Sequence, residues 1–281
     1  MNSDELLQRY SAGERNFKGV DLVGANLHDA NLEGINLHSA NLYSALLQGA
    51  NLERAVLDNA RLDNAELEGI NLENASLVEA DLSESTLERA NLTNADMRGV
   101  KLYESSLYYA CLKGANLRGT QAASARFNGA NLREADLRDI ELFDGCSLEG
   151  TNLMGADLRG TQLEYVKLNR FLYDSETTFD DRFSPHSGAI YIGAGADLKG
   201  IDLTNTDLSD ADLTEADLSR ANLSGADLSR ANLEEANLEG ANLDYTDLTD
   251  ANLEQANLID AQTRMTIFCN TIMPDGTMLL Q

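Results

Sequence analysis

The chain has 281 residues, with 21 Lys or Arg against 47 Asp or Glu, so its formal net charge at pH 7 is −26. Such an acidic surface argues against direct binding of nucleic acid, because phosphates need a basic surface. The sequence contains no apolar run long enough to span a membrane and begins with an acidic segment instead of a signal peptide, so we expect a cytoplasmic protein that does not bind membranes.

The first 16 residues are predicted to form a capping helix and a lead-in. The helix is expected over residues 3–12, with Asn2 or Ser3 as its N-cap and Gly13 as its stop. Its apolar face consists of Leu6, Leu7 and Tyr10.

An apolar residue, usually leucine, then returns every five positions, from Phe17 to Leu142. The register slips by one residue within the segment FDGCS, resumes until Leu168, and returns between Leu198 and Leu258. Of the 44 positions that define these repeat centres, 40 are leucine, so chance does not explain the pattern. A five-residue spacing places successive leucines about 140° apart on an α-helix and on opposite faces of a flat strand, so it indicates neither.

Each five-residue unit has a small residue, mostly alanine, two positions before its centre. This alternation predicts a very short strand in each unit, followed by a turn. Four units would close one coil of 20 residues with a roughly square section, and parallel backbone pairing would stack the coils. The handedness rule for parallel crossovers favours a right-handed solenoid of about 11 coils.

The repeated motif A(D/N)LXX resembles the pentapeptide-repeat family over about four-fifths of the chain. The resemblance implies an all-β fold, the right-handed quadrilateral parallel β-helix. The opening DELLQRYSAGERNFKGVDLVGANL, the interruption YDSETTFDDRFSPHSGAIYIGAGADL and the tail TIFCNTIMPDGT look like those of cyanobacterial members.

The repeat divides the chain into segments. The main solenoid is expected over residues 17–168, and residues 196–260 are expected to continue the same rod. The interruption, residues 169–195, contains several of the few aromatic residues; it is either an ordered loop that packs on the rod, a hinge between two rods, or a recognition loop. Residues 261–281 are expected to form a C-terminal cap or tail.

The sequence contains no motif typical of an enzyme, a metal site or a cofactor site, so we expect none of these. His28 and His38 are two units apart and would point from opposite sides of the coil, and His186 has no companion. The three cysteines do not imply a disulfide framework, and Cys146 occupies a core position.

Charge is unevenly distributed along the chain. Residues 93–170 contain 10 basic and 10 acidic residues, whereas residues 196–260 contain 3 basic and 16 acidic residues. With a 20-residue coil, the latter segment forms a candidate acidic face, which consists of Asp207, Asp227, Asp247, Asp210 and Asp250. This face is either a solubilising surface or, since some family members resemble a B-DNA duplex and bind DNA gyrase in its place, a DNA mimic.

The neutral middle segment carries the candidate partner site. With allowance for the slip, one column contains Arg98, Arg118, Arg138 and Arg159, and tyrosines are expected on the next faces round: Tyr103, Tyr108 and Tyr109. The column is either an Asp–Arg ladder that balances its own charge or a docking strip for an acidic partner.

These features predict a non-enzymatic scaffold or regulator that binds another protein and is a monomer or weak dimer. Some cyanobacterial family members act in cell differentiation or its signalling, so the resemblance implies that this chain could do the same. The alternative is a DNA-mimic protein that binds DNA gyrase or another topoisomerase through its acidic surface.

Overall fold

The computed structural model describes residues 1–186 and 188–280. These residues belong to two compact units, Met1–Ile190 and Tyr191–Gln281. Regular elements are few and short. They are helix α1 (Ser3–Ser11), a 3-10 turn (Leu163–Tyr165), and strands β1 (Leu172–Tyr173), β2 (Ile190–Tyr191), β3 (Thr271–Ile272) and β4 (Met278–Leu279).

Most of each unit is built from single parallel β-bridges between residues 20 positions apart. In the first unit, Asn16 pairs with Asn36, which in turn pairs with Val56. In the second unit, Asp197 pairs with Asp217. The 20-residue spacing confirms the predicted period of four five-residue units per coil. Each compact unit is therefore a solenoid; the right-handed quadrilateral form and the number of coils, about 11, stay predictions.

Each five-residue unit uses its backbone groups in the same way. The Leu22 N–H donates to the Asn41 carbonyl at 2.8 Å, and the Asn41 N–H donates to the Val20 carbonyl at 2.9 Å, so both bonds join adjacent coils. The Ala25 N–H donates back to the Leu22 carbonyl at 3.0 Å and closes a turn in which Gly24 has φ of 62°. A positive φ at the third turn residue is the arrangement of a type II turn.

Leucines at the repeat centres fill the interior of the solenoid. Leu117, which the repeat pattern placed in the core, is completely buried, as is Ala115 two positions before it. The same burial holds for Phe127, one of the few centres that are not leucine. Each buried side chain of this size contributes about 1.5–3 kcal/mol before chain entropy is subtracted. The inward assignment of the repeat centres is therefore confirmed, except that the last centre, Leu258, is only half-buried.

The bridged coils follow the predicted slip and extend beyond the last repeat centres. The spacing increases to 21 residues where Arg126 pairs with Ser147, the last residue of the FDGCS segment. Bridges continue past Leu168 to Leu172 and Thr178 in the first unit, and past Leu258 to Ile272 in the second. These residues lack the motif but keep the coil because the pairing needs only backbone groups.

Helix α1 covers the first coil. The Asn2 side chain accepts a hydrogen bond from the Glu5 N–H at 2.8 Å, so Asn2 is the N-cap. The helix ends at Ser11, one residue before the predicted end, and Gly13 follows with φ of 96°. Leu6 is completely buried against the core.

Aromatic residues of the predicted interruption pack against the core of the first unit. Phe171 is completely buried, and its ring centroid lies 5.8 Å from Tyr173, 6.1 Å from Phe179 and 6.5 Å from Phe183. This is the packing expected of an ordered loop. The continuation of one rod across residues 169–195 stays a prediction.

Candidate protein-interaction surfaces

The four arginines of the predicted column occupy equivalent turn positions on successive coils. Backbone bonds establish the register: the Gly99 N–H donates to the Arg118 carbonyl at 3.1 Å, and the Gly119 N–H donates to the Arg138 carbonyl at 3.1 Å. Their side chains project from one face of the first unit. We call this set the arginine column: Arg98, Arg118, Arg138 and Arg159.

Three members of the arginine column are held by an aspartate two residues earlier in the chain. Arg138 donates from Nε to Asp136 Oδ1 at 2.8 Å and from Nη2 to Asp136 Oδ2 at 2.6 Å. Such bidentate pairs are the strongest arginine–carboxylate geometry. The same two bonds join Arg98 to Asp96 and Arg159 to Asp157, at distances of 2.5–2.9 Å.

These pairs shift the acidity of both partners. The hydrogen bonds from the arginines lower the pKa of Asp96, Asp136 and Asp157, and burial opposes that change only in part. The pKa of Arg138 is raised in turn, chiefly by its hydrogen bonds to Asp136. Three positions of the column therefore form the charge-balanced ladder that was one of the two expected arrangements.

Arg118 has no such bidentate pair with the residue two positions before it, an arrangement that we call a clamp. The residue two positions before it is Asn116, whose Oδ1 accepts the Arg118 backbone N–H at 3.2 Å. The Arg118 guanidinium instead donates from Nε to Asp139 Oδ2, on the next coil, at 3.3 Å. Its side chain is 54% exposed. Among the described residues, Nη1 and Nη2 of Arg118 have no hydrogen-bond partner.

The three predicted tyrosines lie in different surroundings. Tyr103 is half-buried, and its hydroxyl donates to Gln121 Oε1 at 2.6 Å. Tyr109 is 68% exposed and has φ of 58°, and its ring lies against Gly129, where a Cβ would be 2.6 Å from Tyr109 Cδ1. Tyr108 is also half-buried.

Tyr108 and Tyr109 do not lie beside the arginine column. Tyr108 follows Arg98 by ten residues, which is half of a 20-residue coil, whereas Tyr103 follows it by one unit. One flat partner surface therefore cannot cover both the arginine column and Tyr109. The structure separates them into two candidate surfaces, and the partner-binding role of these residues stays a prediction.

Tyr109 shares its face with two arginines that the sequence analysis did not single out. The Arg89 N–H donates to the Tyr108 carbonyl at 2.9 Å, which places Arg89 one coil before Tyr109. The Leu107 N–H donates to the Arg126 carbonyl at 2.8 Å, which places Arg126 one coil after it. Both side chains are exposed. The 20-residue period could have found them, because each is offset from the tyrosines by about one coil.

The candidate acidic face of the second unit forms the predicted column. Asp207 pairs with Asp227, and Asp227 with Asp247, in parallel bridges. Each carboxylate also accepts a hydrogen bond from the backbone N–H two residues later, within its own turn. Asp227 Oδ1, for example, accepts the Ser229 N–H at 2.9 Å, and Asp247 Oδ1 accepts the Thr249 N–H at 2.9 Å.

An arginine interrupts the neighbouring acidic column. Arg230 lies one coil after Asp210 and one coil before Asp250. It donates from Nε and Nη2 to the two carboxylate oxygens of Asp210, at 2.7 Å each. Because Arg230 lies between Asp210 and Asp250, the acidic face is less uniformly negative than the sequence predicts.

His28 and His186 make local polar contacts. His28 Nδ1 lies 2.9 Å from Asp29 Oδ2, and His186 Nδ1 accepts the Gly188 N–H at 3.1 Å. Within residues 1–186 and 188–280, no three His, Cys, Asp or Glu side chains come together as metal ligands would. Across the same residues, no helix has the length and apolar character needed to cross a bilayer.

A cavity of about 210 Å³ lies near the end of the first unit. One of its two lining carboxylates, Asp180, accepts hydrogen bonds from the backbone N–H groups of Gly160 and Arg182, at 3.3 and 3.2 Å, and so stabilises the local turns. The lining residues are Gly160, Thr161, Gln162, Glu164, Asp180, Arg182 and Phe183.

Comparison with solved structures returned pentapeptide repeat proteins. HetL, which is involved in heterocyst differentiation regulation in the cyanobacterium Nostoc sp. strain PCC 7120, is 30% identical over 99% of this chain and 100% of its own, with a TM-score of 0.37. Rfr23 from the cyanobacterium Cyanothece 51142 is 26% identical over 63% of this chain and 100% of its own, with a TM-score of 0.18.

The plasmid-mediated fluoroquinolone resistance protein QnrB1 is 14% identical over 63% of this chain and 89% of its own, with a TM-score of 0.36. No curated protein sequence matched the chain.

The sequence profile for pentapeptide repeats matches eight stretches, most of which overlap a neighbour. They cover residues 16–139, 142–170 and 194–273, well over half of the chain. With the five-residue unit, the buried repeat centres and the 20-residue bridge spacing, this match fixes the family. The chain belongs to the pentapeptide-repeat family.

Proposed function

We propose that this chain is a non-enzymatic scaffold or regulator that binds another protein through the arginine column. The observation that carries the proposal is the stacking of four arginines on one face of a chain whose net charge is −26. An acidic partner is repelled by the acidic parts of the surface and less so by this column, where three arginines balance their aspartates and Arg118 has no bidentate aspartate, which selects one position along the first unit.

The architecture suits this role. Successive coils are joined by regular backbone hydrogen bonds, so the face that presents the column loses little conformational freedom when a partner docks. We propose the right-handed quadrilateral β-helix of about 11 coils as the form of this scaffold, with residues 196–260 continuing the rod. We also propose that the protein is a monomer or weak dimer.

The proposed setting is cell differentiation or its signalling in a cyanobacterium. The support is the 30% sequence identity to HetL over almost the full length of both chains. HetL is involved in heterocyst differentiation regulation.

Affinity capture from an extract of the native organism tests the proposal. Wild-type protein is compared with Arg118→Glu and with the control Arg54→Glu, which reverses an arginine of 63% side-chain exposure elsewhere on the first unit. We expect at least one protein to be retained by the wild type and the control but lost by Arg118→Glu. A capture profile that is the same for all three folded proteins contradicts the proposal.

A second candidate is DNA mimicry by the acidic face. The observation in its favour is the continuous stack of Asp207, Asp227 and Asp247. Against it, Arg230 neutralises Asp210 in the next column. If this function held, the protein would inhibit supercoiling by DNA gyrase at low salt, and replacement of the three stacked aspartates with Asn would abolish the effect. No inhibition at micromolar protein removes this candidate.

A further inference from the structure

The aspartate column beside the arginine column is broken at one position. Asp96, Asn116, Asp136 and Asp157 pair in that order through parallel bridges, so they occupy equivalent positions on successive coils. Asn116 is the only member of the four that is not a carboxylate. The arginine that follows it, Arg118, is also the only member of the arginine column without a bidentate clamp.

Asn116 accepts the same backbone hydrogen bond as the aspartates of this column, but it has no negative charge to pair with an arginine. Its Oδ1 accepts the Arg118 backbone N–H at 3.2 Å, as Asp136 Oδ1 accepts the Arg138 N–H at 3.1 Å. The second carboxylate oxygen is replaced by an amide NH₂, which donates and cannot accept from a guanidinium. The turn is therefore preserved while the Arg118 side chain is released.

The released guanidinium has room for a ligand. Its single ion pair, to Asp139 at 3.3 Å, uses Nε and leaves the terminal nitrogens available. The next residue, Gly119, has φ of 68°, and a Cβ placed on it would meet nothing within 4 Å. The surface beside Arg118 is therefore low and open.

We infer that Arg118 is the docking point for a carboxylate side chain in an acidic segment of the partner protein. This inference rests on the proposed function and identifies which residue of the arginine column binds. The two terminal nitrogens of a guanidinium match the two oxygens of one carboxylate. Arg98, Arg138 and Arg159 are occupied by their own aspartates and contribute little free positive charge.

The surroundings favour a carboxylate over a phosphate or a nucleic acid. Asp136 and Asp139 lie on the next coil, so a ligand with two negative charges meets strong repulsion there. Nucleic acid binding requires several free cations in a row, and the column offers one.

The substitution Asn116→Asp tests the inference without touching the docking residue. It supplies the missing carboxylate, so Arg118 should become clamped as Arg138 is. We expect the Kd for the partner identified by affinity capture to rise about tenfold. The control Asn36→Asp adds the same charge at the same position of a unit in the same column, where His38 follows instead of an arginine. It should leave the Kd within about twofold.

Two further variants test whether Asn116→Asp weakens partner binding by pairing with the Arg118 guanidinium or by another effect. Asn116→Ala removes the turn acceptor without adding a clamp, so it should bind like the wild type even if it is less stable. Arg118→Gln should weaken binding, and Asn116→Asp should add little to that loss, because both act on one guanidinium.

The outcomes distinguish this inference from the proposed function. If a partner lost by Arg118→Glu binds Asn116→Asp as tightly as wild type, the inference is wrong and the proposed function survives. If binding disappears when the partner is treated with phosphatase or nuclease, a carboxylate is not the ligand and the inference is overturned. If no captured protein depends on Arg118, both fail.

Discussion

Asp136 and Arg138 are joined by two hydrogen bonds, at 2.8 and 2.6 Å, within a single turn of the first unit. The bonds lower the pKa of Asp136 below its ordinary value of about 3.9. Below that ordinary value, the unfolded chain binds a proton that the folded chain does not. The contribution of this pair to stability is therefore complete above about pH 5 and is lost as the pH falls through the folded-state pKa.

We predict that Asp136→Asn reduces the pH dependence of stability. Between about pH 5 and pH 3, the urea midpoint of the wild type should fall more steeply than that of the variant, and above about pH 5 the two curves should run parallel. The effect of one pair is small because the Arg138 side chain is only half-buried, so solvent screens the pair. Parallel curves over the whole range would show that the pair does not couple to folding.

A second prediction concerns the core. Leu117 is completely buried, so Leu117→Ala should lower the free energy of unfolding by about 2–5 kcal/mol through lost burial and the remaining cavity. The adjacent change Arg118→Ala affects an exposed side chain and should cost less than about 1 kcal/mol. Chemical denaturation followed by circular dichroism measures both. Equal losses for the two variants would contradict the assignment of Leu117 to the core.

A third prediction uses the cysteines, all three of which are free. Cys146 is completely buried, and burial raises the pKa of its thiol to about 12. Because the thiolate is the reactive form, Cys146 should resist a thiol reagent such as DTNB at pH 8 until the protein is unfolded. Cys111 and Cys269 are half-buried and should react in the native state. Rapid native-state labelling of Cys146, identified by mass spectrometry, would show that the first unit opens near the slip.

The fold could be predicted from the sequence because nearly every five-residue unit has one large apolar side chain, and burial of these side chains requires a repeating coil with an interior. The same arithmetic predicted that Asp207, Asp227 and Asp247 would stack, since register in a solenoid depends only on the period. It could not show which polar groups pair within a turn. The pairing of Arg230 with Asp210 depends on side-chain rotamers. Arg118 has no clamp because Asn116 has an amide where the other three positions have a carboxylate.

Turn positions were also harder to predict than core positions. Asn128 follows a repeat centre, and its place in the unit predicts an exposed side chain whose replacement is nearly silent. In the structure it is half-buried, and its Oδ1 atom is buried with no hydrogen-bond partner among the described residues. A charge at Asn128 would therefore be costly.

The last prediction follows from the separation of Arg118 and Tyr109. Ten residues separate Arg98 from Tyr108, so the arginine column and Tyr109 are half a coil apart. Tyrosine and arginine are among the side chains that most often anchor interfaces, and Tyr109 has exposed arginines on its own face. If both surfaces bind proteins, they bind different ones, or one partner must wrap around the solenoid.

We therefore predict that the effects of Arg118→Glu and Tyr109→Ala are independent. For a partner that docks on the arginine column, Arg118→Glu should weaken binding by about 2 kcal/mol or more, while Tyr109→Ala should change it by less than about 0.5 kcal/mol. The double variant should equal the sum of the single variants. Calorimetric titration of the four proteins measures these values. A coupling free energy above about 0.5 kcal/mol in a correctly folded double variant would mean that one partner contacts both surfaces, and the division into two sites would be wrong.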